Sequence, residues 1–203
     1  LDWMGRALSE LVGAAATGTP RRWVIPYSTL RTWGRALGPR PAAAPGISGE
    51  RSQALLAGAN RLVQGEYSIA SGKLWVAAVV EDAASGKTVE WAEAAGAGPE
   101  DVLGAAAALA AGLGMTGQPP ATANPEALRY YAEGLEAPER AAALDSLERA
   151  TAADPGFGRA WLAAIAIAGA EDRAAGRQLA ERARAFRDRM GPVEQARLNL
   201  ELA

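Results

Sequence analysis

The sequence contains no histidine and no cysteine. That removes Ser-His-Asp and Cys-His catalysis, imidazole or thiolate metal sites, and any disulfide framework. It is neutral about compartment, because a cysteine-free chain suits a reducing cytoplasm and an oxidising periplasm equally. A surplus of one charge is also missing. Lys and Arg number 21 against 23 Asp and Glu, a net charge of −2. Without excess positive charge to neutralise phosphates, nucleic acid is not an expected partner. No apolar run reaches the roughly 18 residues that cross a bilayer, so no membrane-spanning segment is expected in this chain. No signal peptide opens it, yet it begins on Leu1 inside a helical pattern and closes inside another. It therefore reads as a fragment of a longer protein, with a targeting segment possible upstream. No cofactor and no resident metal are expected.

Much of what is present is alanine, as in Gly104-Ala105-Ala106-Ala107-Ala108-Leu109-Ala110-Ala111. Alanine combines high helix propensity with little bulk and favours closely packed helices. Leu1, Met4, Leu8, Leu11, Val12 and Ala15 fall on one stripe of an amphipathic helix that Thr17-Gly18-Thr19-Pro20 ends. Trp23-Val24-Ile25 reads as a short strand stopped by Pro26. Ser28 caps an expected helix to Leu37, Gly38 to Gly46 is a proline-rich loop, and Ser48 caps a short helix to Gly58.

From Asn60 the period changes to two. Val63, Tyr67 and Ile69 share a face, then Leu74, Val76, Ala78 and Val80 resume it after the turn Ser71-Gly72. Trp75 and Val79 make the opposite face of that second run apolar too, which places it centrally in a sheet. Ala84-Ser85-Gly86 turns the chain into Thr88-Val89-Glu90-Trp91, completing an antiparallel meander. Pro99, Glu100 and Asp101 open the alanine-rich helix, which ends near Gly112 or Gly114. Helical patterns follow over 125–135, 139–153, 158–169, 171–190 and 192 to the end. The expected fold is therefore a small mixed-sheet α/β domain over 1–116, a linker over 117–124, and an all-α array over 125–203.

Ala143, Leu147, Ala150, Asp154-Pro155 and Trp161 resemble the tetratricopeptide repeat, in which small residues bring paired helices together, a proline follows, and an aromatic opens the next unit. The Glu171 to Met190 segment lacks those small positions in register. The first domain resembles the amino-terminal-type domain of TolB and its relatives. The residues that carry the likeness are Leu1-Asp2-Trp3-Met4-Gly5-Arg6-Ala7-Leu8, Arg61-Leu62-Val63-Gln64-Gly65-Glu66-Tyr67, Leu74-Trp75-Val76, Asp82-Ala83-Ala84-Ser85-Gly86 and Trp91. The resemblance implies a bacterial fusion of such a domain to tetratricopeptide repeats, as found behind some Ser/Thr kinases or cyclases. It also implies a first strand that this chain lacks, leaving a sheet edge open to β-augmentation. The periplasm is slightly favoured over the cytoplasm.

Asp82-Ala83-Ala84-Ser85-Gly86-Lys87-Thr88 imitates the end of a phosphate-binding loop, but position 81 is Glu where that motif requires glycine, and a strand follows rather than a helix. A hairpin turn is expected there. Glu81-Asp82, Glu100-Asp101 and Glu171-Asp172 are read as capping and solvated groups, not as acid/base pairs. The six tryptophans are expected in core or helix-packing roles, although Arg21, Arg22, Arg31 and Arg35 near Trp23 and Trp33 could form a small basic-aromatic patch. Arg177, Arg182, Arg184, Arg187 and Arg189 are read as a solvated helix face. The repeat resemblance implies that Arg159, Leu162 and Ala166 line a concave surface that receives a protein or peptide. The expected function is a non-catalytic interaction or scaffold module, serving as sensor or output of a larger envelope or signalling protein. A small-molecule sensor using the α/β domain and a carboxylate-dependent hydrolase are the alternatives.

Overall fold

The protein was analysed as a computed structural model that describes residues 2–17, 19–20, 22–25, 49–117 and 121–203. It is a mixed α/β chain, mostly helical, with one three-stranded antiparallel sheet. Two compact units divide it, Leu8–Pro119 and Leu1–Ala7 with Pro120–Ala203. The opening helix, α1 (Asp2–Thr17), contributes to both. The expected helix 28–37, the loop 38–46, and Arg21, Arg31, Trp33 and Arg35 lie outside the described residues.

In the unit Leu8–Pro119 a short α2 (Gly49–Leu56) precedes β1 (Arg61–Ala70), β2 (Lys73–Asp82) and β3 (Thr88–Ala95). The order is β1-β2-β3, so β2 is central as its two apolar faces suggested. Ser71 and Gly72 both take positive φ in the first turn, a conformation glycine adopts without steric cost. Leu74, Val76, Ala78 and Val80 are buried where α3 (Val102–Gly112) packs on β2 and β3. Alanine and glycine permit that packing: a Cβ on Gly112 would stand 2.9 Å from the Ala92 Cβ. Asp101 caps α3 by accepting from the Gly104 amide at 2.9 Å, leaving Pro99 and Glu100 ahead of the helix.

Trp23-Val24-Ile25 is not a strand. A strand needs a ladder partner, this segment has none among the described residues, and Trp23 is 93% exposed. The expectation that the tryptophans serve as core also fails for Trp75 and Trp91, at 46% and 66% exposure. Trp161 does occupy the core.

The other unit contains α4 (Pro125–Glu136), α5 (Arg140–Ala153), α6 (Gly158–Gly169), α7 (Arg173–Arg184) and α8 (Pro192–Leu202). Each packs on the next, and α6 also packs on α8. Asn124 and Asp172 cap α4 and α7 by accepting two backbone N–H bonds each. Leu147 and Phe157 are fully enclosed, each burial being worth about 1.5–3 kcal/mol. Tyr131 meets Phe157 edge-on at 4.9 Å, and Phe186 stacks on Trp161 at 6.0 Å.

The expected single helix over 171–190 is in fact broken. After α7 the chain makes a 3₁₀ turn at Arg187–Arg189, with the Phe186 amide bonded to the Ala183 carbonyl at 2.9 Å. Leu179, Ala183, Phe186 and Met190 keep helical spacing, so periodicity alone conceals the break. Seating Phe186 against Trp161 accompanies the departure from the helix.

Candidate functional site

The expected site begins where α6 starts. Gly158 lies against α8 so closely that a Cβ there would come within 2.7 Å of the Glu194 Cβ. This approach brings Arg159 beside Glu194, Nε to Oε1 3.5 Å, with both side chains partly buried. Arg159 is therefore a compensated charge joining two helices. Leu162 is half-buried against the helical core, and Ala166 is exposed. The three residues share a flank of α6 by their spacing, but only Ala166 is fully presented to solvent.

On α8 the positions at the same distance from the helix start are also partly apolar. Counted from each helix start, Arg159, Leu162 and Ala166 correspond to Val193, Ala196 and Leu200. Val193 is 51% exposed and Leu200 77%. Sequence reading missed these positions and Glu194. Aligning the starts Gly158 and Pro192 would have exposed Val193 and Leu200; the Arg159–Glu194 pairing has no local signal.

On α4 the residues that follow the core positions are buried. Leu128 and Ala132 each follow a core residue, Ala127 and Tyr131, as Leu162 and Ala166 follow Trp161 and Ile165. Both are buried, yet neither belongs to the cluster joining the helices from α4 onward. Two contacts join the first turns of α1 to α4. Arg6 Nη1 stands 3.4 Å from Glu136, and the Arg129 guanidinium sits 6.0 Å from the centre of the Trp3 ring. Met4, Arg6 and Ala7 are buried. Leu128 and Ala132 on α4 are buried, whereas Ala166 on α6 and Val193 and Leu200 on α8 are exposed.

The acidic pairs serve local structure. Asp82 accepts from the Ser85 amide and hydroxyl, both at 2.9 Å, and pairs with Arg61. These bonds, the Ser85 amide foremost, hold its carboxyl below the usual aspartate range. Asp101 bonds the Ala97 amide at 2.8 Å as well as capping α3. Glu171 meets Arg140 at 2.7 Å, while its neighbour Asp172 caps α7. Residues 82–88 form the β2–β3 turn, with Gly86 at φ +71° and the Arg51 guanidinium bonded to the Ala83 and Ala84 carbonyls. The arginines at the end of α7 and in the 3₁₀ turn after it are paired: Arg182 with Glu148, Arg184 with Glu181, Arg187 with Asp188 and Arg189 with Asp154. Arg22 pairs with Glu90 at 3.6 Å. Among the described residues no group of three or more Asp or Glu could hold a metal ion, and no helix is long and apolar enough to cross a membrane.

No family model, no curated protein and no solved structure matches this chain.

Proposed function

We propose that the helical unit is a non-catalytic protein-interaction module of the tetratricopeptide kind, taking an amphipathic segment of a partner protein along the flank of α6 and α8. The observation that carries this reading is the contrast between helices, buried at Leu128 and Ala132 but exposed at Ala166, Val193 and Leu200. An apolar stripe left in water along neighbouring helices is a surface of the kind that helix-in-groove recognition uses. Support for the repeat reading comes from the small buried residues. Gly176, Ala180 and Ala183 on α7 repeat the spacing of Ala143, Leu147 and Ala150 on α5. The expected register is displaced by one residue relative to the preceding α6, which hides it from a fixed-period reading.

Arg159 and Leu162 are poor test positions, since both already brace the fold. Ala166→Glu combined with Leu200→Glu places charge on the open stripe without touching the core. Crosslinking in cells expressing the protein should show a partner that this double variant loses while its circular dichroism spectrum is unchanged. A partner list identical for both proteins would remove this flank from the function.

A further inference from the structure

The sheet's second face is apolar along its centre and carries acid on both sides. Alternation puts Lys73, Trp75, Ala77, Val79 and Glu81 of β2 opposite the face that α3 covers. In the ladder Ala77 lies between Glu66 of β1 and Glu93 of β3, Val79 lies between Gln64 and Trp91, and Trp75 between Ser68 and Ala95. None of these residues is buried, and Trp75, Trp91, Glu66 and Glu93 are all exposed. The side chains of these four have no ion-pair, hydrogen-bond or ring partner among the described residues, although Trp3 and Trp161 each already have an arginine over the ring.

Strand geometry fixes what fits there. Glu66 and Glu93 stand on either side of Ala77, about 10 Å apart across two strand spacings, and the alanine methyl leaves the space between them low. The Trp75 and Trp91 rows lie about 7 Å to either side of the Ala77 row along the strands. A single cationic head over Ala77 would thus sit between two carboxylates and within side-chain reach of two indole faces. Lys73, the one cation that the strands place on this face among the described residues, is at its far end beyond Trp75, so the centre keeps its negative charge.

We propose that this face binds an arginine- or lysine-bearing segment of a partner polypeptide, with one basic side chain seated over Ala77 between Glu66 and Glu93 and against Trp75 and Trp91. Ion pairing supplies the sign of the charge, and the indole faces supply an attraction that water screens less. An anionic ligand is repelled by the same two carboxylates. A neutral sugar could stack on the rings but would gain nothing from the charge.

The test is calorimetric titration of the whole chain with octa-arginine at low ionic strength, tryptophan emission being followed in parallel. Binding should occur, and Glu66→Gln with Glu93→Gln should weaken it roughly fivefold. Glu139→Gln with Glu201→Gln, which changes net charge equally in the helical unit, should leave it within about twofold. Trp75→Ala or Trp91→Ala should each cost roughly threefold and remove part of the emission change. The proposal is overturned if octa-arginine does not bind, or if the two double variants weaken binding alike. It is equally overturned if both tryptophan variants bind like the wild type, or if octa-glutamate or a neutral oligosaccharide binds as tightly.

Discussion

At the scale of single residues, Asp82 shows how a surface carboxylate is committed to a turn. Its oxygens accept from the Ser85 amide and hydroxyl and pair with Arg61, which ties the β2–β3 connection to the end of β1. These partners favour the charged form, so its folded pKa is depressed. A depressed carboxylate contributes its stability in full above the unfolded pKa, about 4, and loses it as pH falls through the lower folded value. Asp82→Asn should therefore be less stable than wild type in urea melts near neutrality. The difference should shrink below about pH 4 and disappear at lower pH, where both side chains are neutral. A gap that stays constant down to about pH 2 would mean that shape rather than charge holds the turn.

At the scale of elements, the helices approach as closely as their smallest residues allow. A Cβ on Gly176 of α7 would meet the Gly169 Cα at 2.8 Å and the Ile165 carbonyl oxygen at 3.2 Å, both backbone atoms that cannot swing aside. Gly13 in α1 has nothing within 4 Å of the same position. Glycine to alanine in a helix gains about 1 kcal/mol, whereas overpacking costs about 1–3 kcal/mol. Gly13→Ala should therefore raise the midpoint of thermal unfolding, and Gly176→Ala should lower it, although propensity favours both. If both substitutions stabilise, the α6–α7 approach is looser than described. The elements themselves were legible because each rests on a local period or punctuation mark: the alternation over Leu74 to Val80, the Ser71-Gly72 turn, the cap at Asp101. What was not legible depends on remote groups. Trp23-Val24-Ile25 has strand composition but no partner to pair with. Phe186 keeps the helical period while stacking on Trp161, and the small residues Gly176, Ala180 and Ala183 shifted by one position relative to α6. Of the candidate site, Arg159, Leu162 and Ala166 came from the resemblance to the tetratricopeptide repeat, and helical spacing puts them along one flank of α6. That Glu194 neutralises Arg159, and that Leu162 is turned toward the core, depends on α8 crossing at Gly158.

At the scale of the whole molecule, the division into units does not follow the chain simply. Residues 1–7 belong with the helices beginning at Pro125, while the rest of α1 belongs with the sheet. Sequence order suggested a single domain up to residue 116, because a helix pattern gives no sign of which neighbour each turn contacts. The first turns of α1 bury Met4 and Ala7 and bring Arg6 to Glu136. If they are structural members of the helical unit, damage at Met4 must be felt at α4. Met4 is almost fully enclosed, so Met4→Ala should cost about 2–5 kcal/mol through lost burial and a residual cavity. Hydrogen exchange locates that cost. Amides of α4 should exchange faster in the variant, because the turns that carry Met4 also hold Trp3 at Arg129 and Arg6 at Glu136, while amides of the central strand β2 should keep their protection. Faster exchange confined to β2, with α4 unchanged, would show that Met4 supports the sheet unit instead. The assignment of the first seven residues to the helical unit would then be wrong.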